Sequence, residues 1–226
     1  MIGDILPPKV VAEEAFGDLP DTVLFAEEEA VIAKAVDKRR REFTTARACA
    51  RAALAKLGLP AVPIVPGERG APRWPAGVVG SITHCDGYRA CAVARDSDIV
   101  TIGLDAEPHD RLPGGVLDAV SLAPERARLA ELTAVGPDVH WDRLLFCAKE
   151  SVYKAWFPLT GKWLGFEDAC VDFDPAAKSF SARLLVPGPV VEGRVLTGFT
   201  GRWLVAEGLI VTAIVIPRPP AAGRSS

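Results

Sequence analysis

The pattern of apolar positions in the first quarter of the chain predicts a long amphipathic helix. Apolar residues recur at spacings of three and four through residues 27–57, which is the period of a helix with one buried face. Gly58 and Pro60 stop the pattern. Because a helix of this length is unusual without internal caps, we expect a break within residues 38–43. The mixed, proline-bearing residues 1–25 are expected to wrap the surface.

Strand signals replace the helical period in the next section of the chain. Residues 60–77 are rich in proline and glycine and are predicted to form a loop. Two apolar runs, residues 78–84 and 88–95, flank a Cys-Asp-Gly sequence that is typical of a hairpin turn. Residues 99–107 then alternate between large apolar and polar or small side chains, as a strand with one buried face does.

The second half of the chain repeats the order of helix and strands. Residues 115–135 and 139–157 have a helical pattern, and Pro158 is expected to end the second of these helices. Short β-type runs follow and finish in a predicted hairpin over residues 202–216. The order of elements predicts an α+β fold. It is also consistent with two similar lobes that meet near residue 110.

Composition excludes several classes of protein. The 226 residues include 26 Lys and Arg against 29 Asp and Glu, a net charge of −3, so we expect no nucleic-acid partner, which would call for a basic excess. With 49% hydrophobic and 24% charged residues, the chain is neither disordered nor fibrous. No apolar run approaches the ~20 residues of a membrane-spanning helix, so we expect no membrane association either.

The cysteines and the two ends of the chain indicate its compartment. Five cysteines without a Cys-x-x-Cys pair suit buried thiols in a reducing compartment better than a disulfide framework or a zinc site. The first residues lack a basic stretch followed by an apolar run, so no signal peptide is predicted. We therefore expect a soluble, cytoplasmic protein. Residues 217–226 are rich in Pro, Gly and Ser and are expected to be frayed.

Two carboxylates on one strand form the first candidate site. Asp105 and Glu107 lie two residues apart at the end of the predicted strand, so their side chains share a face about 7 Å apart. Like charges this close repel each other unless a cation lies between them, and a hard divalent ion with oxygen ligands is the usual solution. The alternative is a strand end that reaches solvent before Pro108.

The helix over residues 139–157 carries the second candidate. Glu150 points away from its main apolar stripe, yet the face around Glu150 is also apolar, as in a helix that borders a cleft. Glu150 and Lys154 form an i,i+4 pair. They are either a surface ion pair worth about 0.3–0.5 kcal/mol, or a metal-binding or basic carboxylate beside a phosphate-binding lysine. Periodicity alone does not separate these alternatives.

A basic cluster on the first helix is the third candidate. Residues 38–41 read Lys-Arg-Arg-Arg, and Arg47 and Arg51 follow on the same helix. Arginine forks match phosphate oxygens two at a time, which makes the cluster a candidate anchor for a phosphorylated ligand. A solvated charged face is the alternative. His84, at the end of a predicted strand, either donates to a phosphate or caps the hairpin.

Three segments, taken in order, resemble the 4′-phosphopantetheinyl transferases. They are residues 80–84 (Gly-Ser-Ile-Thr-His), residues 102–107 (Ile-Gly-Leu-Asp-Ala-Glu) and residues 146–156 (Phe-Cys-Ala-Lys-Glu-Ser-Val-Tyr-Lys-Ala-Trp). Residues 38–47 look like the N-terminal helix of that family. The resemblance runs from about residue 30 to residue 215 and is to the larger monomeric kind, with residues 140–143 and 163–166 looking like actinobacterial members.

The resemblance implies a reaction and an architecture. The reaction is transfer of the phosphopantetheine arm of coenzyme A to a serine of an apo carrier protein, with release of adenosine 3′,5′-bisphosphate. The implied partners are acyl carrier proteins and the carrier domains of polyketide and nonribosomal peptide synthases, and the implied state is a monomer. The implied fold has two pseudo-symmetric α+β lobes, residues 1–109 and 110–216, with the active site in the cleft between them.

The resemblance also implies a role for each site residue. Mg²⁺, with Mn²⁺ as an alternative, would be held by Asp105, the Ala106 carbonyl, Glu107 and Glu150. Glu150 would take the proton of the attacking serine, directly or through a water, and Lys154 would offset charge on the leaving phosphate. The implied contacts of coenzyme A are Arg39, Arg47, Thr83 and His84 at the 3′-phosphate, Arg69 at the nucleotide, Lys149 and Lys154 at the phosphates, and Trp163 over the pantetheine arm.

One departure from the family pattern and two rival functions stay open. Many members carry a lysine in a Gly-Lys-Pro segment before the serine–histidine strand, whereas residues 69–72 here read Arg-Gly-Ala-Pro. That charge is missing unless Arg69 supplies it. The rivals are a Mg²⁺-dependent nucleotide phosphohydrolase that uses the same three carboxylates, and a non-catalytic module that binds coenzyme A or a carrier protein.

Overall fold

The computed structural model describes residues 1–219 and confirms the predicted α+β class. The helices are α1 (Ala26–Ile32), α2 (Asp37–Lys56), α3 (Val116–Val120), α4 (Ala123–Val135) and α5 (Trp141–Thr160). The strands are β1 (Val11–Phe16), β2 (Val78–Cys85), β3 (Tyr88–Arg95), β4 (Ile99–Pro108), β5 (Ala169–Asp174), β6 (Ser179–Leu184), β7 (Val190–Val191), β8 (Arg194–Val195), β9 (Gly198–Ala206) and β10 (Leu209–Pro217). The predicted frayed tail begins at Pro217, which instead ends β10, and its residues 220–226 lie outside the described residues.

Two antiparallel sheets carry the fold. One has the order β1-β3-β2, the other β4-β10-β9-β6-β5, and β7 and β8 form a separate ribbon. One cluster of buried side chains lies between α2 and the first sheet, and a second lies between α5 and the five-stranded sheet. A third cluster joins side chains of β3, β4 and β10. Each sheet therefore has a helix on one face and shares the third core on the other.

Residues 1–25, expected only to wrap the surface, contain a strand. β1 pairs with β3 over its whole length, from Val11 opposite Val93 to Phe16 opposite Tyr88. A 3₁₀ turn before it buries Ile2 and Ile5. The Val-Ala-Glu-Glu-Ala-Phe sequence of β1 alternates too weakly to identify a strand, because the hydrogen bonds that hold it come from β3 and leave no local signal.

Two of the predicted helices are each interrupted by a residue with an extended backbone conformation. The first ends at Ile32 and resumes at Asp37, because Val36 adopts an extended backbone (φ −66°, ψ 156°). The break therefore precedes the expected position, residues 38–43. The predicted helix 115–135 is interrupted where Ser121 is extended (φ −121°, ψ 151°), and it resumes with Pro124 in the first turn of α4, where a proline is tolerated.

The helix that carries Glu150 is longer than predicted. α5 continues through Pro158 to Thr160 and ends at Gly161, which has the left-handed backbone (φ 62°) common at helix ends. A proline removes one hydrogen bond of the helix, and packing of the apolar stripe of α5 against the five-stranded sheet offsets that loss. The expectation that Pro158 ends the helix was wrong by one turn.

β2 and β4 join the two sheets through side chains. Leu104 N–H donates to Ser81 Oγ at 3.1 Å, and Ala106 N–H donates to Thr83 Oγ1 at 3.0 Å. The two strands run side by side in the same direction, with hydroxyl groups in place of a backbone ladder. Because β4 is paired with β10, the boundary between the sheets lies before residue 99. The proposed lobe boundary at residue 109 therefore follows chain order and does not coincide with the boundary between the sheets.

A glycine and three hydroxyl groups fix α5 against the five-stranded sheet. A Cβ on Gly103 would lie 2.0 Å from the carbonyl oxygen of Ser151, so only glycine permits this approach of β4 to α5. Thr101 Oγ1 donates to the carbonyl of Ala155 at 3.0 Å. Thr212 Oγ1 lies 2.5 Å from Ser151 Oγ and donates to the Cys147 carbonyl at 3.0 Å. These contacts set the position of Glu150 and Lys154 relative to the end of β4.

The structure also bears on the cysteines and on the length and apolar character of the helices. The five cysteines are all free thiols, and Cys49, Cys91 and Cys147 are buried. Among residues 1–219, none of the helices has the length and apolar character that crossing a membrane requires.

Candidate active site

Asp105, near the end of β4, lies at the centre of the candidate site. Its Oδ1 accepts hydrogen bonds from Lys154 Nζ at 2.7 Å and from Thr83 Oγ1 at 3.1 Å. Burial lowers the pKa of the Lys154 ammonium, but the charge and hydrogen bond of Asp105 outweigh burial and hold that pKa above its usual value. Lys154 is therefore a fixed cation beside a buried carboxylate.

Glu107 shares the strand face of Asp105, as the alternation predicts. Its Oε2 accepts a hydrogen bond from Arg143 Nη1 at 3.0 Å. Burial and the charge of Asp105 raise the pKa of Glu107, although Arg143 acts in the opposite direction. Arg143 also donates to the carbonyls of Asp110 and Arg111, so that one arginine ties the end of β4 to the start of α5.

Glu150 brings a third carboxylate to this centre from α5. It is half-buried, and no lysine, arginine or histidine of the described chain forms an ion pair with it. Burial and then the charge of Asp105 raise the pKa of Glu150, while Lys154 one turn further along the helix lowers it. A carboxylate that binds a proton more readily than usual has the property that a general base near neutral pH requires.

The donor set fits a hard divalent cation. Within residues 1–219 no three His, Cys, Asp or Glu side chains are already gathered as metal ligands. Asp105 Oδ2 is nevertheless buried without any hydrogen-bond partner in the described chain, and the charge of Asp105 raises the pKa of both neighbouring glutamates. An unpartnered carboxylate oxygen among mutually repelling carboxylates is the environment that an oxygen-preferring ion such as Mg²⁺ relieves.

The Ala106 carbonyl lies in a suitable place for a further oxygen ligand. The N–H of Ala106 bonds to Thr83 on the β2 side of β4. Since the N–H and C=O of one strand residue point to the same edge, the Ala106 carbonyl also points toward β2 and away from the β10 ladder. Its methyl group is buried on the opposite face from Asp105.

An open groove of about 540 Å³ runs between α5, β2 and the loop before β2. Glu150, Tyr153 and Lys154 line it from α5, and the loop contributes Arg69. The polar face of α5 therefore borders a cleft, and Lys154 forms its ion pair with Asp105 and not with Glu150.

A smaller cavity of about 280 Å³ holds three of the predicted phosphate-binding residues; we call it the anion pocket. Arg39 and Arg47 line it from α2 and His84 from the end of β2. Arg39 Nη1 lies 2.7 Å from His84 Nε2. Burial and then the charge of Arg39 lower the pKa of His84, so that its ring is neutral near neutral pH. Gly70, among other residues, lines both this pocket and the groove, so the two are continuous.

Arg47 is the most enclosed cation of the anion pocket. The residue is 7% exposed, and its guanidinium lies 3.7 Å from the centre of the Phe43 ring. Nε donates to the carbonyl of Ile64 at 2.9 Å. Burial lowers the pKa of Arg47 to about 10, so the group stays charged at neutral pH. A desolvated arginine with free forks is a strong phosphate ligand.

An aromatic residue covers the other end of the groove. Trp163 is 60% exposed, with its ring 5.0 Å from that of Tyr153 and 5.3 Å from the guanidinium of Arg69. Arg69 has a left-handed backbone (φ 51°) in the loop before β2. Beneath Trp163, a cavity of about 230 Å³ is lined by Glu150 and Tyr153, which also line the groove.

Lys149 is placed differently from the role that the resemblance implies. Its ammonium lies 2.8 Å from Glu125 Oε2 and donates to the carbonyl of Phe166 at 2.6 Å, and both side chains of the ion pair are nearly inaccessible. Five positions before Lys154, it projects from a different side of α5. Its charge is neutralised inside the protein, where Lys149 ties α4 to α5, and the residue also lines the cavity beneath Trp163.

Thr83 is also used internally. Its hydroxyl accepts from Ala106 N–H and donates to Asp105, so that it holds the carboxylate and does not face the anion pocket. Sequence reasoning assigned no role to two residues of the site. Arg143 and Tyr153 lie in segments that carry the family resemblance but were given no role, and the buried Oη of Tyr153 has no hydrogen-bond partner in the described chain.

Two family models match this chain. Residues 27–94 match the family model of the 4′-phosphopantetheinyl transferase N-terminal domain, and residues 101–195 match that of the 4′-phosphopantetheinyl transferase superfamily. The division between the two models falls between β3 and β4, where the first sheet ends.

Three relatives match nearly the whole chain. The chain is 58% identical to the 4′-phosphopantetheinyl transferase Svp of Streptomyces mobaraensis, over 100% of this chain and 93% of the relative. It is 54% identical to the 4′-phosphopantetheinyl transferase Npt of Nocardia iowensis (95% and 99%) and 48% identical to the 4′-phosphopantetheinyl transferase PptT of Mycobacterium tuberculosis (96% and 98%). The predicted likeness to actinobacterial members is confirmed. The chain thus belongs to the 4′-phosphopantetheinyl transferase superfamily and is a transferase.

Proposed function

We propose that this protein transfers the 4′-phosphopantetheine arm of coenzyme A to a serine of an apo carrier protein and releases adenosine 3′,5′-bisphosphate. One observation carries the proposal. A continuous groove has a cationic pocket at one end, a carboxylate–lysine centre in the middle and an aromatic cover at the other end. Coenzyme A has a terminal phosphate, a pyrophosphate and a long thiol arm in the same order.

The two ends of coenzyme A would bind to different elements. The 3′-phosphate would lie in the anion pocket, where Arg39, Arg47 and His84 supply donors. Arg69 would lie near the nucleotide and supply the charge of the missing Gly-Lys-Pro lysine. The pantetheine arm would pass beneath Trp163 into the cavity beside Tyr153.

The chemistry would take place beside Lys154. The serine oxygen attacks the phosphorus that carries pantetheine, a new O–P bond forms, and the bond from that phosphorus to the oxygen of the adenosine bisphosphate breaks. Glu150 takes the proton of the serine hydroxyl, which its raised pKa favours. Lys154 lies in the groove and offsets the negative charge that grows on the leaving phosphate.

A divalent cation fits the same centre. Asp105, Glu107, Glu150 and the Ala106 carbonyl would hold Mg²⁺, with Mn²⁺ as the alternative. When bound, the ion would neutralise charge on the pyrophosphate. The buried Oδ2 of Asp105, which has no hydrogen-bond partner within residues 1–219, supports this assignment.

We propose carrier domains of polyketide and nonribosomal peptide synthases, together with fatty-acid acyl carrier proteins, as the acceptors. The protein would act as a monomer in a reducing compartment such as the cytoplasm, in keeping with its five free thiols.

Intact-mass measurement of an apo acyl carrier protein tests the proposal directly. The carrier is incubated with this protein, coenzyme A and Mg²⁺, and a gain of one phosphopantetheine that EDTA prevents is the expected result. Hydrolysis of coenzyme A without any gain on several carriers would favour a phosphohydrolase. Binding of coenzyme A without either reaction would favour a non-catalytic module.

A further inference from the structure

Glu28 is a buried carboxylate that the proposed chemistry does not use. Its side chain in α1 is 0% exposed, and its two oxygens accept three hydrogen bonds. Oε2 accepts from Phe25 N–H at 3.1 Å and from Arg51 Nη1 at 2.8 Å, and Oε1 accepts from Ile64 N–H at 2.8 Å. A fully desolvated charge is retained only when its oxygens are satisfied in this way.

The contact with Ile64 leads to the anion pocket. The backbone of Ile64 is held on both sides, because its N–H donates to Glu28 and its carbonyl accepts from Arg47 Nε at 2.9 Å. Glu28 therefore fixes the residue whose carbonyl sets the orientation of Arg47. Ile64 lies in the loop before β2 and outside every strand of the described chain, so no backbone ladder holds it and these two hydrogen bonds fix its peptide groups.

The contact of Nε leaves the rest of the guanidinium available to a ligand. Arginine has five N–H donors, and the bond to Ile64 uses one of them. In residues 1–219 no protein acceptor takes up the donors of Nη1 and Nη2, while Arg47 lines the anion pocket with Arg39 and His84. The bond from Nε to the Ile64 carbonyl therefore fixes which side of the guanidinium faces the pocket.

We infer that Glu28 is a positioning residue for recognition of the 3′-phosphate, acting through the Ile64 peptide on Arg47. This inference rests on the proposed function, since it concerns the phosphate expected in the anion pocket. Glu28 touches neither the ligand nor the reacting atoms, so its loss should change selectivity for the phosphate and leave the chemical step in place.

A second buried glutamate repeats the same contacts in the other half of the molecule. Glu125 Oε2 accepts from Leu122 N–H at 2.7 Å and forms an ion pair with Lys149 Nζ at 2.8 Å, and Oε1 accepts from Val171 N–H at 2.7 Å. As with Glu28, the donors are a backbone N–H three residues earlier, a cation on the next long helix and a backbone N–H beyond that helix. Glu125 is 2% exposed and has no contact with the anion pocket, so it provides a matched control.

The substitution Glu28→Gln is expected to remove the hydrogen bond from Ile64 N–H and to keep those from Phe25 and Arg51. Glutamine has one side-chain oxygen, and that oxygen is drawn to the position of Oε2, where a cation and a backbone N–H both donate. The amide NH₂ then faces the N–H of Ile64, which loses its acceptor. Glu125→Gln makes the same change beside Lys149 and Val171.

The measurement is the ratio of the Kd of 3′-dephospho-coenzyme A to that of coenzyme A, by calorimetry on the full chain. We expect the wild type to favour coenzyme A, Arg47→Ala to lose this preference, and Glu28→Gln to lower the ratio about tenfold, as the loss of one hydrogen bond to a charged group does. Glu125→Gln should keep the wild-type ratio. Glu28→Asp, which keeps the charge but shortens the reach, should also lower it.

Two results separate the inference from the proposed function. Equal affinity of the wild type for both ligands would show that the anion pocket does not bind the 3′-phosphate. A wild type that discriminates, with Arg47→Ala lowering the ratio and folded Glu28→Gln leaving it unchanged, would show that Glu28 has a structural role only. If Glu28→Gln does not fold, an unchanged ratio in Glu28→Asp overturns the inference in the same way.

Discussion

Replacement of Gly103 by alanine should disable transfer while coenzyme A still binds. The new Cβ would lie 2.0 Å from the carbonyl oxygen of Ser151, whereas real Cβ atoms stay at least 3.0 Å from such neighbours. The backbone of β4 or α5 must therefore shift by about 1 Å, and α5 carries Glu150 and Lys154 past Asp105. A displacement of about 1 Å in a catalytic group costs up to about 100-fold in rate, and overpacking costs about 1–3 kcal/mol of folding free energy.

The assay compares kcat/KM for modification of a carrier protein with the Kd of coenzyme A. We expect a fall of about 100-fold in kcat/KM, a drop of roughly 2–4 °C in Tm for each kcal/mol lost, and little change in Kd, since α2 supplies Arg39 and Arg47. Gly114→Ala is the control, because no atom of the described residues lies within 4 Å of its Cβ position. A folded Gly103→Ala protein with wild-type kcat/KM would refute the argument that this glycine sets the distance between β4 and α5.

Three further changes test other parts of the site. Glu150→Ala should abolish transfer, measured by carrier mass, and retain coenzyme A binding; unchanged turnover would remove Glu150 from the mechanism. Lys149→Met leaves the Glu125 carboxylate buried without its cation, so it should cost about 3–5 kcal/mol in urea unfolding; a selective loss of coenzyme A affinity at full stability would restore the phosphate role. Burial and the charge of Arg39 lower the pKa of His84. The negative charge of a bound phosphate should raise that pKa, because it favours the protonated ring. Binding should then take up a proton and strengthen as the pH falls from about 8 to 6. Calorimetry in buffers of different ionisation enthalpy would detect this uptake, and His84→Gln should abolish it; the same uptake in that variant would assign the proton to another group.

Local patterns identified the elements that carry the site. The Cys-Asp-Gly turn predicted the hairpin of β2 and β3, alternation put Asp105 and Glu107 on one face, and the helical period put Glu150 and Lys154 beside each other. Each of these features depends on residues within a few positions of one another, which is the range over which periodicity is informative.

Features that depend on distant partners escaped local analysis. β1 exists because β3 supplies its hydrogen bonds, and Lys149 is neutralised by Glu125, which lies on a different helix. The roles of Lys149 and Thr83 were carried over from the family motif, which records residue types but not the internal contacts that use up an ammonium or a hydroxyl.

The join between β2 and β4 has a consequence for how ligand binding and unfolding are coupled. Two side-chain hydroxyls, of Ser81 and Thr83, replace a ladder of backbone hydrogen bonds there, so opening this boundary breaks fewer hydrogen bonds than separating a long strand pair such as β4 and β10. Arg39 and Arg47 lie on one side of it and Lys154 on the other. A nucleotide that contacts both sides would stabilise the closed boundary, so that the two halves unfold together.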